Sequence, residues 1–158
     1  MISEESFRNA LSRFATGVTI VTLEHENEYH GLTVNSFTSV SLNPPLILIC
    51  IQRNGKSHAL FRLNQRFVVN ILSQEQRDLA SQFADSDLHG WQRFHDLKFN
   101  MSQEGIPIIA DSLAYLECQI VKQYEGGDHT IFLGEVNGAW SANNKKPLLF
   151  FESQFAQI

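Results

Sequence analysis

Two long stretches of alternating apolar and polar residues in the last third of the chain constrain the fold most strongly. They cover residues 113–124 and 130–140, and Gly126-Gly127-Asp128 lies between them. Glycine and aspartate between two such stretches are typical of the tight turn of a β-hairpin. The sequence therefore predicts a long antiparallel hairpin, which favours a fold built on an antiparallel sheet.

The rest of the chain predicts more strands and only short helices. Further strands are predicted over 18–23, 30–42 (long or bulged), 46–51, 67–72 and 148–151. Helices are predicted after Ser3, over 56–63 and over 75–84, and the polar stretch 85–105 is predicted to be a surface excursion. Six or seven strands with so few helices indicate one domain over residues 1–158, mainly β, with a closed or split β-barrel. The apolar residues of the first helix form one stripe: Phe7, Ala10, Leu11, Phe14 and Ala15.

Charge and composition exclude several classes of function. The net charge of −5 argues against nucleic acid as a partner, because phosphate backbones need a basic face. Cys50 and Cys118 form no CxxC pair and lie in apolar runs, which favours buried thiols over a disulfide or a catalytic thiol. The longest apolar run, 46–51, is far shorter than the roughly 20 residues of a membrane span. With no signal-like N-terminus and no zinc-like histidine spacing, we expect a cytoplasmic protein without a metal site or membrane partner.

The most informative segment covers residues 30–45, HGLTVNSFTSVSLNPP. On a continuous strand Thr33, Asn35, Ser39 and Ser41 would share one face, interrupted by Phe37. Short polar side chains beside an aromatic ring are costly to bury unless a ligand or the protein accepts their hydrogen bonds. A solvent-facing strand is the alternative, but residues 30–42 contain no Lys, Glu or Arg.

Two other segments carry weaker signals. Lys56 and Ser57 open a predicted helix after a buried strand, where free N–H groups suit a phosphate, although a plain polar loop explains them equally well. His129 follows the hairpin turn at the start of a strand and is either a site residue or an ordinary surface histidine. Gly134 within that strand predicts a bulge or the close approach of a backbone or ligand.

Read together, these segments resemble the flavin reductase-like family of FMN-binding split barrels. The best-known members of that family are the reductase components of two-component flavin monooxygenases. The similarity covers FRNALSRFATGVTIVT (7–22), GLTVNSFTSVSLNPPLILICI (31–51), GDHTIFLGEV (127–136) and PLLFF (147–151), in that order. It implies a Greek-key split β-barrel with a few short flanking helices.

The resemblance also implies roles for individual residues. The flavin-ring segment would be Thr33, Val34, Asn35 and Ser36, with Ser39 and Ser41 close behind. The strand end beside the ring would be Cys50 and Ile51, and the flavin phosphate would be held by Lys56 and Ser57. His129 would face the nicotinamide. The pyridine nucleotide would be bound by the chain around Phe150, Phe151 and Ser153.

The chain departs from the family pattern at several positions. The family often has Ala at Val34, Asp at Gln52 and Ser at Gly55. Its C-terminal tail commonly reads Gly-Arg-Tyr, where this chain has Ser153-Gln154-Phe155. The missing arginine affects the predicted binding of NADH or NADPH. It does not affect the predicted flavin segment.

The resemblance implies a flavin reductase that transfers a hydride from NADH or NADPH to FMN or FAD. Such an NAD(P)H:flavin oxidoreductase would supply a partner flavin-dependent monooxygenase, and we expect a homodimer. One alternative is a flavin-binding electron carrier on the same fold that NAD(P)H does not reduce. Another is a barrel that binds no flavin.

Overall fold

The computed structural model describes residues 1–158, and most of them form an antiparallel β-structure. The strands are β1 (Thr16–Gly17), β2 (Thr19–His25), β3 (Glu28–Val34), β4 (Phe37–Leu42), β5 (Pro45–Gln52), β6 (Arg66–Ile71), β7 (Phe99–Met101), β8 (Pro107–Ile109), β9 (Ala114–Gly126), β10 (His129–Ser141), β11 (Leu149–Phe151) and β12 (Gln154–Ala156). The α-helices are α1 (Glu4–Leu11), α2 (Lys56–Leu63) and α3 (Arg77–Ala84), and 3₁₀ helices cover Gln74–Gln76 and Gly90–Phe94. No helix has the length and apolar character needed to cross a membrane.

The main sheet has seven strands in the order β3-β2-β6-β9-β10-β5-β4. Its two edge strands, β3 and β4, are joined by only Asn35 and Ser36. A flat seven-stranded sheet would hold its edges about 29 Å apart, whereas the chain from Val34 to Phe37 spans at most about 11 Å. The sheet must therefore curl. Because no ladder pairs β3 with β4, the result is a split barrel, and the predicted fold class is confirmed.

The predicted hairpin is present as β9 and β10, each 13 residues long. β10 also pairs with β5, so it lies inside the sheet. The β9–β10 register shifts at Leu133/Gly134 and again at Val136/Gly138. Bulges of this kind increase local twist and bend, which helps a long hairpin to follow the curve of a barrel.

The predicted strand over 30–42 is wrong as a single element. The chain leaves β3 after Val34 and starts β4 at Phe37, on the other edge of the sheet. β4 is also irregular, because its register against β5 shifts between Ser39 and Ser41. The shared polar face predicted for Thr33, Asn35, Ser39 and Ser41 therefore does not exist.

Apolar side chains pack on both sides of the sheet. One cluster of 11 buried residues, including Phe67 and Phe132, fills the barrel, and a second cluster of eight lies outside it. The second cluster includes Phe94 and is flanked by Phe99, both from the segment 85–105. The prediction of that segment as a surface excursion is therefore wrong in part, because its Phe94 and Phe99 pack against Tyr29 of β3.

Asn70 is a buried polar residue that ties three segments together. Its Nδ2 donates to the Ile20 carbonyl at 3.0 Å and to Thr22 Oγ1 at 3.1 Å. Its Oδ1 accepts a hydrogen bond from the Ile109 N–H at 2.8 Å. Since the residue is 0% exposed, these bonds replace all contact with water.

The first helix begins as predicted but packs loosely. Ser3 Oγ accepts a hydrogen bond from the Ser6 N–H at 3.1 Å and caps the N-terminus of α1. The apolar stripe is largely open to solvent, with Phe7 52%, Leu11 56% and Phe14 76% exposed. α1 contains no buried residue, so its apolar face has no partner within the chain.

Candidate functional site

The site is organised by the corner between β3 and β4. Ser36 bonds to β5 twice: its carbonyl accepts from the Cys50 N–H at 3.1 Å, and its hydroxyl donates to the Cys50 carbonyl at 2.9 Å. These two bonds anchor the corner to the β5 side of the split. Asn35 and Ser36 both remain exposed there.

A groove of about 490 Å³ opens beside this corner. Five of the predicted site residues line it: Asn35, Ser36, Cys50, Phe150 and Ser153. The other lining residues come from the end of α1 and the following segment, from β4 and from β5: Arg8, Leu11, Ser12, Phe14, Thr16, Phe37, Thr38 and Leu48. Its size falls within the roughly 300–1,000 Å³ that is typical of cofactor and ligand sites.

The groove combines aromatic walls with short polar groups. Phe14, Phe37 and Phe150 supply flat apolar surface, and hydroxyl and amide side chains surround it. Thr16 Oγ1 is buried and has no hydrogen-bond partner in the protein. A buried hydroxyl without a partner is costly, so a ligand that supplies one is favoured. A flat ring with polar edges, such as an isoalloxazine, fits this set of donors and walls.

Cys50 contributes to the groove as a neutral thiol. Partial burial raises its pKa above the ordinary value. The thiolate form is therefore disfavoured, and the side chain serves as a small apolar surface rather than as a nucleophile.

The C-terminal hairpin closes one end of the groove. β11 pairs with β1 on one side and with β12 on the other, and the turn between β11 and β12 is Glu152-Ser153. The Glu152 N–H donates to the Ser12 carbonyl at 2.9 Å, and the Glu152 carboxylate pairs with Arg13. These contacts fix Ser153 beside the end of α1.

Several predicted site residues lie outside the groove. The side chains of Val34 and Ile51 are buried in the barrel core, so only their backbone groups remain for a ligand. Thr33 Oγ1 donates to the Ala80 carbonyl at 2.6 Å and thereby ties β3 to α3. Ser39 and Ser41 are on β4 beyond the groove. Phe151 follows Phe150 in β11 but does not line the groove either.

His129, Lys56 and Ser57 form a second group near the end of β5. His129 is opposite Gln52, the last residue of β5, and the Arg53 N–H donates to the Asp128 carbonyl at 2.9 Å. The hairpin turn and the loop before α2 are thereby joined. Cys50 and Gln52 are two strand residues apart, about 7 Å, so this second group adjoins the groove.

The imidazole of His129 is oriented by its neighbour in sequence. Its Nδ1 is 2.7 Å from Asp128 Oδ1. The hydrogen bond with His129 and the charge of the imidazolium form hold the pKa of Asp128 below its ordinary value. The imidazole is 40% exposed, so an incoming ligand can reach it.

Sequence reasoning missed the contribution of the first helix to the groove. Leu11 and Phe14 belong to an apolar stripe that is typical of helices packed on a core. Only the three-dimensional structure shows that these two residues face the groove. No local signal in the sequence distinguishes the two situations.

The fold and the groove define a split-barrel protein with a candidate site for a flat, polar-edged ligand. Residues 11–158 match the model of the flavin reductase like domain family, and the chain belongs to that family. It is 43% identical over 153 residues to an NADH-dependent FAD reductase of Streptomyces globisporus, covering 96% of this chain and 84% of the relative. It is 38% identical over 157 residues to the reductase component of the 4-nitrophenol 4-monooxygenase/4-nitrocatechol 2-monooxygenase of Rhodococcus opacus, covering 99% of this chain and 82% of the relative.

The fold is also similar to solved structures of the family. An NADH:FAD oxidoreductase of S. globisporus in complex with NAD and FAD fragments superposes with a TM-score of 0.92 at 39% identity, covering 100% of this chain and 96% of the other. The family predicted from the sequence is thereby confirmed, and the chain is assigned to the oxidoreductases. The predicted flavin and nicotinamide cofactors match those named for these relatives.

Proposed function

We propose that this protein is a flavin reductase that uses NADH to reduce FAD or FMN and supplies the reduced flavin to a partner monooxygenase. The observation that carries the proposal is the groove at the split of the barrel, with its aromatic walls, polar rim and unpartnered Thr16 hydroxyl. The two relatives described above, one an NADH-dependent FAD reductase and the other a monooxygenase reductase component, support it.

In this proposal the chain binds and orients its ligands and needs no acid or base of its own. The flavin would supply the hydride-accepting chemistry, as cofactors do in general. Asn35, Ser36 and the Thr16 hydroxyl would bind the polar edge of the ring, and Phe14 and Phe150 would contact its faces. Ser36 is well suited to this role because its two bonds to Cys50 hold it in place before a ligand arrives.

His129 would position the nicotinamide. Its imidazole is partly exposed, is in contact with Asp128 through Nδ1 and lies next to Gln52. We expect His129→Ala to raise the KM for NADH several-fold and to leave the flavin Kd unchanged. A variant that weakens flavin binding instead would show that His129 has a different role.

The decisive experiment is NADH oxidation by the purified protein with FAD, with FMN and with no flavin. We expect the protein to accelerate oxidation well beyond the rate with free flavin. Tight flavin binding without NADH oxidation would support the electron carrier instead, and absence of both would overturn the proposal.

A pair of serine variants tests whether the corner binds the flavin. Ser36→Ala removes a hydroxyl that donates to a backbone carbonyl at the groove, and Ser81→Ala removes one that donates to the Arg77 carbonyl on the exposed face of α3. A hydrogen bond contributes about 1 kcal/mol, so we expect Ser36→Ala to raise the flavin Kd about fivefold. Equal effects of the two variants would argue against the groove.

We also propose that the protein acts as a homodimer. Leu11, on the exposed apolar face of α1, and Phe14, just after the helix, border the groove, so a second copy covering α1 would also enclose the ligand. Sedimentation should give about twice the chain mass, and Phe7→Glu should shift the protein toward monomer. A monomeric wild type with full activity would refute the proposed homodimer.

We also propose that the protein acts in the cytoplasm. Its two free thiols and the proposed use of NADH suit a reducing compartment.

A further inference from the structure

His58 is a half-buried histidine that lies outside the groove. It belongs to the first turn of α2, and its Nε2 is 2.8 Å from Thr130 Oγ1 in β10. Its ring also packs edge-on against Phe132, with 6.1 Å between the ring centroids. Phe132 is part of the cluster that fills the barrel, and Thr130 is 8% exposed. His58 therefore contacts the start of β10 from the interior of the barrel.

Two further contacts join this end of β10 to the loop before α2. The Arg53 N–H donates to the Asp128 carbonyl, as described above, and Arg53 Nη2 pairs with Glu125 Oε1 at 2.9 Å. Glu125 is opposite Thr130 in the β9–β10 ladder. The ion pair is exposed to solvent and contributes little to stability. The half-buried hydrogen bond between His58 and Thr130 is therefore the side-chain contact that fixes the start of β10 against α2.

His129 directly precedes Thr130 and depends on the same stretch of backbone. Successive side chains of a strand point to opposite faces, so His129 lies on the outer face when Thr130 points inward. The side-chain hydrogen bond of His129 is to Asp128, which is itself exposed. An exposed neighbour cannot hold a ring in place unless the backbone beneath it is fixed, and His58 provides that support.

The neutral form of His58 suits this contact. Burial lowers the pKa of His58 below its ordinary value, and the charges of Arg62 and Arg53 lower it further. A neutral imidazole has one donor and one acceptor, and a threonine hydroxyl can both donate and accept. Either tautomer of His58 can therefore form the hydrogen bond with Thr130 near neutral pH.

We infer that His58 is a positioning residue, whose hydrogen bond to Thr130 holds the start of β10 so that His129 stays in place for the nicotinamide. The inference rests on the proposed function, because it takes the nicotinamide-positioning role of His129 from there. His58 acts through the strand and does not touch either ligand. Its partner is 72 residues away in the sequence, so the contact exists only in the folded barrel.

The test measures kcat and the KM for NADH at saturating FAD for the wild type, His58→Ala, Thr130→Val and Asn64→Ala. Asn64 is the matched control, because its Nδ2 donates to the Leu60 carbonyl at 2.8 Å at the opposite end of α2. We expect His58→Ala and Thr130→Val each to raise the KM about threefold, a size typical of one lost neutral hydrogen bond. Their kcat and FAD Kd should stay within about twofold of the wild type, and Asn64→Ala should leave the KM unchanged. His58→Gln, which keeps a donor and an acceptor, should restore most of the loss.

A double-mutant cycle with His129→Ala separates positioning from a general effect on the fold. If His58 acts through His129, adding His58→Ala to His129→Ala should raise the KM no further. Two increases that multiply in the double variant would overturn the inference, because they indicate independent effects. An equal rise in KM for Asn64→Ala would also overturn it, since any loosening of α2 would then suffice.

The outcomes also separate this inference from the proposed function. If the wild type oxidises NADH with a flavin but His58→Ala and Thr130→Val keep the wild-type KM, only the role of His58 is refuted. If the wild type oxidises no NADH with either flavin, the proposed function fails, and the role of His58 fails with it.

Discussion

Replacing Gly134 by alanine tests how tightly the barrel is packed behind β10. A Cβ atom at this position would lie 2.9 Å from Phe67 Cζ and 3.3 Å from Cys118 Cβ. Ordinary contacts between such atoms are 3.4–4 Å, so the overlap with the ring is about 0.5 Å. Phe67 is 0% exposed and packs edge-on against Phe61 at 6.0 Å between ring centroids, so it has no free space to move into.

The expected cost follows from two opposing effects. Overpacking a core by a methyl group costs about 1–3 kcal/mol. Alanine also restricts the unfolded chain and favours the strand by about 0.5–1 kcal/mol. We therefore expect Gly134→Ala to lower the free energy of unfolding by about 1–2 kcal/mol, which corresponds to a fall in Tm of about 5 °C for a domain of this size.

Gly138→Ala is the matched control in the same strand. There the added Cβ would lie 3.3 Å from Glu117 Oε1, at the end of a flexible, half-buried side chain that can move. We expect this variant to stay within about 0.5 kcal/mol of the wild type, as measured by urea unfolding. In the Phe67→Leu background the cost of Gly134→Ala should largely disappear, because the clashing atom is gone. Equal stability of the two alanine variants would refute the packing argument. So would a loss of unfolding free energy from Gly134→Ala that is just as large in the Phe67→Leu background as in the wild type.

Three further predictions concern buried polar and titrating groups. Asn70→Leu should lower the free energy of unfolding by about 3 kcal/mol, since three buried partners lose their bonds; a loss below about 1 kcal/mol would contradict this. Burial, with a smaller effect of Glu117, raises the pKa of Cys118 to about 12, so at pH 8 a thiol reagent should modify Cys50 slowly and Cys118 only after unfolding. Two rapidly reacting thiols in the native protein would be the contrary result. Burial lowers the pKa of His30, so the unfolded state takes up the proton first, and stability should fall as the pH drops below about 6.5. His30→Gln should reduce this loss in urea unfolding at pH 7.5 and 5.5, and an unchanged pH dependence would exclude His30 as its source.

Elements whose signals are local could be predicted from the sequence. α2 has the predicted bounds 56–63, and the hairpin turn lies where its glycines indicate. Elements that depend on distant partners could not. The three-residue strands β7 and β8 pair only with each other, and β12 exists only because β11 provides an edge. Such short segments carry too little periodicity to be recognised.

The same limit applies to the site. The residue type of Asn35 predicts a site residue on the assumption that the strand continues through it, and Ser36 is implied only by the family resemblance. The strand ends there instead, and the bonds that fix Ser36 come from Cys50, 14 residues further along. Lys56 carried a local signal, but its contact with His89 required the outer core to bring in a separate segment.

The position of the groove follows from the topology rather than from any one motif. In an ordinary sheet, polar residues between two strands form a surface turn with no special surroundings. Here the two strands are opposite edges of one sheet, so the residues between them must lie where the barrel fails to close. Edge strands leave backbone donors and acceptors unpaired within the sheet, and a ligand or a second chain in an adjacent groove can form hydrogen bonds with them. A polar two-residue connection between the first and last strands of a curled sheet is therefore a candidate binding site because of its place in the fold.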